Sequence, residues 1–144
     1  MITREFAAPR ELVFAAITQP EHIRHWYGMA EDGMLVCDVD LRVGGRWHYV
    51  LAGPPDGEDH SFSGEYLEID PPERLVSTER YDNMPGAEYT VTVTLEEHDG
   101  VTTLRSHLTY PSKELRDGHV DSGMEYGMNI SYNRLEALLA WLAR

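Results

Sequence analysis

The stretch AEYTVTVTLEEHDGVTTLRSHLTY, residues 87–110, decides the class of fold. Tyr89, Val91, Val93 and Leu95 alternate with Thr90, Thr92 and Thr94, the period-two pattern of a strand with one apolar and one polar face. His98-Asp99-Gly100 then separates this run from a second one that opens at Val101. An Asp-Gly pair between two alternating runs is a strong hairpin signal. In the returning strand Leu104, Leu108 and Tyr110 take the apolar face, while Arg105 and His107 point away. The reading is an antiparallel sheet covered on one side only.

The same period continues upstream, in MLVCDVDL (34–41), GRWHYVLA (45–52), HSFSGEYLEI (60–69) and RLVSTERY (74–81). Asp70-Pro71-Pro72 separates the last two. Trp47, Tyr49 and Leu51 share one face of their strand, and Gly44-Gly45 before them supply the backbone freedom for a bulge or tight bend. Phe62, Gly64 and Tyr66 form one alternating set, and Leu75, Ser77, Glu79 and Tyr81 another. The pattern leaves open which side of residues 61–81 faces inward.

At the N-terminus ITREF (2–6) alternates weakly as a short strand. PRELVFAAITQ (9–19) follows with Leu12, Val13, Ala16 and Ile17 at helical spacing and Pro9 suited to a first turn. Pro20 ends it and opens a second short helix, PEHIRHWYG (20–28). At the other end Ser112 is a candidate N-cap for a helical segment running to about Ala143, with an interruption expected near Gly118. Met124, Met128, Ser131, Leu135, Leu138, Leu139 and Leu142 make its apolar stripe. One helix and one apolar sheet face bury each other, which predicts an α+β domain over residues 1–144.

Composition narrows the function classes. With 25 acidic and 12 basic residues the formal net charge is −13. Phosphate backbones and anionic lipid surfaces attract basic proteins, so neither nucleic acid nor membrane is an expected partner. No apolar run approaches the roughly 20 residues of a bilayer span, and the N-terminus lacks a signal-peptide layout. A lone cysteine, Cys37, fits a reducing compartment, so a cytoplasmic location is expected. There is no G-x-S-x-G elbow and no P-loop. His22 and His25, beside Glu21, lack a third ligand at useful spacing, so no metal and no cofactor is expected.

Four segments, taken in order, carry a family resemblance: REFAAPRELVFAAITQPEHIRHWYG (4–28), DLRVGGRWHYV with its PDG turn (40–57), GEYLEIDPPERLVSTE (64–79) and SGMEYGMNISYNRLEALLA (122–140). The chain resembles the START-like (SRPBCC) proteins grouped with homologues of the activator of the heat-shock-ninety ATPase. The resemblance implies a helix-grip fold, a curved antiparallel sheet of about seven strands around a long C-terminal helix, with two short helices after the first strand. It also implies an apolar cavity in many members, but no single function. Relatives include cochaperone domains, polyketide cyclases and aromatases, and binders of lipids or hormones.

Within that plan Trp26 and Tyr27 border the cavity mouth, followed by Gly28-Met29 where many relatives have Gly-Pro. Large aromatics serve equally well as core caps. Trp47 and Tyr49 are expected to face the long helix, and Met124, Met128 and Tyr132 to face the sheet in return. Gly123 and Gly127 leave a smooth patch beside them. Tyr66, Glu79 and Tyr81 complete the candidates. Glu79, if inward, needs a partner or a raised pKa; if outward, it is an ordinary solvated carboxylate. The leading expectation is binding of a small apolar or aromatic molecule between sheet and helix. The alternatives are a cyclase- or dehydratase-type enzyme using the same cavity and a chaperone-interacting module. A homodimer is compatible with each of them.

Overall fold

A computed structural model describes residues 2–27, 34–53, 57–83, 88–121 and 124–142, without the side chains of 119–127. In chain order the elements are β1 (Ile2–Phe6), α1 (Arg10–Thr18), α2 (Pro20–Trp26), β2 (Met34–Val39), β3 (Arg46–Leu51), β4 (His60–Asp70), β5 (Arg74–Tyr81), β6 (Glu88–His98), β7 (Val101–Thr109), α3 (Lys113–Asp121) and α4 (Met124–Leu142). The strands form one seven-stranded sheet in the order β1-β7-β6-β5-β4-β3-β2, and every neighbouring pair is antiparallel. β2 to β7 follow one another as a meander, and β1 closes the far edge beside β7. With the long helix α4 on the inner face, this is the helix-grip architecture.

Local chemistry accounts for the connections. Between β6 and β7 both Asp99 (φ 52°) and Gly100 (φ 80°) take left-handed backbone, as a type I′ turn requires. Gly44 (φ 84°) turns the chain before β3, and its N–H donates to the Tyr66 carbonyl at 2.8 Å. The Ser112 hydroxyl accepts from the Leu115 N–H at 3.1 Å, capping α3 as expected. Gly118 itself does not end the helix, since α3 runs through that residue to Asp121. One glycine costs a helix roughly 1 kcal/mol, too little to end it where the neighbouring turns continue.

Directly paired residues of an antiparallel ladder point to the same face, so the register places both members of alternate rungs inward. Trp47 lies opposite Gly64, Tyr49 opposite Phe62, Phe62 opposite Tyr81, and Tyr66 opposite Ser77. Both alternating sets of residues 61–81 therefore look inward at α4. Gly64 is required by proximity, because a Cβ there would lie 1.8 Å from the Thr78 carbonyl oxygen and 2.7 Å from Trp47 Nε1.

Toward β1 and β7 the interior is closed. Phe6, Val13, Ile23, Leu104, Leu135 and Leu139 are all at most 2% exposed. Burial of each such side chain contributes about 1.5–3 kcal/mol. Phe6 meets Tyr132 edge-on at 6.2 Å, joining β1 to α4. The Thr102 hydroxyl buried with them donates to the Ala8 carbonyl at 2.7 Å, and the Thr18 hydroxyl donates to the Phe14 carbonyl at 2.7 Å.

Candidate functional site

Glu79 occupies the middle of the inner sheet face. It is the direct cross-strand partner of Tyr89 and shares its side of β5 with Ser77 and Tyr81. Two phenols converge on its carboxyl. Tyr89 donates to Oε2, and Tyr27, just past the end of α2, donates to Oε1 at 3.5 Å. Among the described residues no lysine, arginine or histidine forms an ion pair with it.

The electrostatics follow from that arrangement. Burial pushes the Glu79 carboxyl above the ordinary range, and the hydrogen bonds from Tyr89 and Tyr27 only partly offset the rise. The same burial raises Tyr27 and Tyr89, and the nearby carboxyl pushes both higher. Glu79 also lifts Tyr49, Tyr110 and Tyr132, in each case behind the larger effect of burial. Five of the chain's eight tyrosines thus sense one buried acid.

Further aromatic rings pack on the two phenols that meet this carboxyl. Tyr27 lies 4.9 Å from Tyr49 and 6.3 Å from Phe62, between ring centroids. Phe62 stacks on Tyr81 at 5.1 Å, and Tyr89 meets Tyr110 at 5.1 Å. This region differs from the closed core. Tyr27, Phe62, Ser77, Glu79, Val91 and Met128 all keep accessible surface while pointing into the interior or packing against it.

The candidates from the sequence divide between the two regions. Trp26 belongs to the closed core: its Nε1–H donates to the Ala16 carbonyl at 2.8 Å and its ring stacks on Tyr132 at 6.3 Å. Tyr132 is buried, its phenol pushed up to about 12 by burial against an opposing hydrogen bond from Ser106. Trp47 meets Tyr49 in a tilted contact at 4.6 Å, Tyr49 in turn packs on Tyr27, and Tyr66 is buried, pushed up to about 12 chiefly by burial. Tyr27 and Glu79 are joined directly, Met128 packs at the rim, and Tyr81 stands at the outer end, hydrogen-bonded to His60 Nδ1 at 2.6 Å. The Met124 side chain, with Gly28, Met29 and Gly123, lies outside what is described. Sequence reasoning missed Tyr89, Tyr110 and Phe62 as site residues; the apolar alternation places Tyr89 inward but does not say which β5 residue it meets.

The outer sheet face carries a second cluster. His48 Nε2 lies 2.9 Å from Ser61 Oγ, and that hydroxyl donates to Asp82 Oδ2 at 2.7 Å. Ser63 and Arg80 donate to Asp82 Oδ1 at 2.8 and 3.0 Å. Burial alone would raise the Asp82 carboxyl, but these hydrogen bonds and the guanidinium charge outweigh it and hold it below the ordinary range. An ionised Asp82 takes the single Ser61 proton, so His48 Nε2 is the donor to Ser61. The row runs Asp–Ser–His, whereas nucleophile activation needs the histidine in the middle. The adjoining open groove, about 390 Å³, is lined by charges of both signs, including Asp38, Arg46 and Arg80. A second groove of about 350 Å³ lies between α2 and α4, with Leu138 and Trp141 in its wall.

A model of the family described as "Activator of Hsp90 ATPase homolog 1-like protein" matches residues 7–140. The chain belongs to that family. Solved structures share the fold of this AHSA1-like chain. A protein from Rhodobacter sphaeroides is similar at 32% identity and a TM-score of 0.88, over 98% of this chain and 91% of its own. Protein Ms6760 from Mycobacterium smegmatis is similar at 32% identity and a TM-score of 0.84, over 96% of this chain and 88% of its own. PFC0360w of Plasmodium falciparum, described as an HSP90 activator, shares the fold at 22% identity, with a TM-score of 0.70 and coverage of 96% and 94%. No curated protein matches the AHSA1-like chain. Among its described residues no helix is long and apolar enough to cross a membrane, and no three His, Cys, Asp or Glu side chains converge as metal ligands.

Proposed function

We propose that this AHSA1-like protein binds a small, largely apolar or aromatic molecule between the curved sheet and α4, with the molecule's polar end at Glu79. The observation that carries this reading is the contrast within one interior. Leu104, Leu135 and Leu139 are sealed, while Tyr27, Phe62, Glu79 and Met128 retain accessible surface around a carboxyl whose dominant perturbation is burial. A group surrounded by protein that still has accessible surface borders enclosed space more readily than bulk solvent. Aromatic walls with a few placed polar groups are the usual composition of small-molecule sites. Cys37, buried and reduced, is compatible with the cytoplasm as its place of work.

The test has two parts. Native mass spectrometry of protein from its own host, with organic extraction, looks for a stoichiometric compound. Titration with the neutral fluorophore N-phenyl-1-naphthylamine looks for saturable one-to-one binding that Val91→Trp, which fills the interior from β6, abolishes without loss of the folded circular-dichroism spectrum. Absence of both a co-purifying compound and saturable binding overturns the proposal and turns attention to protein partners, a chaperone among them.

One observation favours a second reading on the same site. A carboxyl of raised proton affinity held by two phenols is suited to general acid–base work of the cyclase or dehydratase kind. That reading requires the extracted compound to be converted to a product of different mass, and Glu79→Gln to stop conversion while binding persists.

A further inference from the structure

We infer that the molecule held at Glu79 is an organic cation, a protonated or quaternary amine on an apolar body. This rests on the binding reading above and names its ligand class. Among the described residues the interior acid is hydrogen-bonded by two phenols, from Tyr27 and Tyr89, and no cationic side chain neutralises it. Arg4, on the inner side of β1, is already committed to Asn133 at 2.6 Å and Glu136 at 3.0 Å on α4. A buried carboxyl is costly unless paired, and a ligand cation supplies the missing partner.

The walls fit the same chemistry. Tyr27 and Tyr89 touch the carboxyl, Tyr49 and Phe62 pack on Tyr27 and Tyr110 on Tyr89, and aromatic faces attract an alkylammonium that has left water. A carboxylate ligand would meet repulsion from Glu79 with no compensating cation. A neutral ligand would gain from the walls but bring the acid no counter-charge. The overall charge of −13 adds a long-range pull on cations and a repulsion of anions.

The test compares three probes of one shape by isothermal titration calorimetry at 150 mM salt, where surface attraction is screened. They are 2-naphthylmethylamine, (2-naphthylmethyl)trimethylammonium, whose charge cannot be removed by deprotonation, and the neutral 2-naphthylmethanol. Both cations are expected to bind about tenfold or more tightly than the alcohol. In Glu79→Gln that preference disappears while the alcohol's Kd stays within about twofold, which also shows that the variant is folded. Asp38→Asn, on the outer face, leaves the preference intact. If the alcohol binds as well as the cations, or the preference survives Glu79→Gln, the cation assignment is overturned and the cavity stands. If no probe binds, both fall together.

Discussion

Tyr89 and Glu79 are direct partners across the β5–β6 ladder, and the phenol of one donates to the carboxyl of the other. Cross-strand neighbours on one face sit close enough for this contact without any loop to hold them. The site is therefore built on sheet backbone, and Tyr27 is added to it from the end of α2.

Removing that phenol leaves the carboxyl with one donor fewer. Hydrogen bonds to the charged form favour ionisation, so Tyr89→Phe raises the Glu79 pKa above its already elevated native value. Carboxyl-carbon NMR of the wild type and Tyr89→Phe, titrated in parallel, measures the displacement. An unchanged or lowered midpoint contradicts the assigned bond.

Glu79 itself sets a pH dependence of unusual sign. Its native pKa is raised, so both folded and unfolded chains carry the proton well below 4.5 and the group contributes nothing there. As pH rises past that value the unfolded chain releases the proton first. Stability then falls until the native pKa is passed, and stays lowered above it. Glu79→Gln cannot titrate and escapes the loss. Urea unfolding should show its advantage over the wild type growing from pH 4 to pH 7.5; a constant difference counts against burial of the acid.

The hairpin at Asp99-Gly100 was legible because turn chemistry and period-two alternation agree there, and two-residue turns fix the register. The inner face of residues 61–81 was not legible, for a definite reason. The β4–β5 register shifts between Tyr66 and Glu68, so an irregularity at Leu67 breaks the alternation. Tyr66 and Ile69, three apart, both pack inward, while Leu67 is exposed. Parity counted from either end gives the wrong face at the other. The Tyr27–Glu79 contact spans 52 residues of chain and is a property of the folded sheet alone. The outer row of His48, Ser61 and Asp82 likewise exists only through the pairing of β3, β4 and β5.

That outer row gives the opposite pH behaviour. The Asp82 pKa is held low, so its stabilisation is fully present above the ordinary value of 3.8 and is lost as pH falls through the native one. Asp82→Asn should cost about 1 kcal/mol near neutrality, a modest figure because the group is partly solvated. The difference from wild type should vanish in acid. Persistence of the full difference at pH 2.5 would assign it to packing instead of charge.

Gly64 tests the closeness of β4 and β5. A methyl group there would collide with the Thr78 backbone carbonyl, which cannot move without disturbing the ladder, and with the Trp47 indole. Gly64→Ala should cost about 3 kcal/mol, and the loss should show as a lowered urea midpoint at unchanged slope. A cost under about 0.5 kcal/mol, the scale of a neutral surface change, contradicts the packing.

The division of the interior makes the last prediction. Leu135 is fully enclosed and Met128, two turns earlier on α4, is only half-buried. Truncating a sealed leucine removes its transfer energy and leaves a void, so Leu135→Ala should cost about 2–5 kcal/mol. A half-buried methionine has fewer contacts to lose, and Met128→Ala should cost about 1 kcal/mol or less. The effects on ligand binding should run the other way. Met128→Ala enlarges the site and should change the affinity for N-phenyl-1-naphthylamine severalfold, whereas Leu135→Ala at a concentration of urea that keeps it folded should leave it alone. Equal stability losses at the two positions would mean that α4 seals against the sheet along its whole length, and the space at Glu79 would then be too small for the molecule proposed.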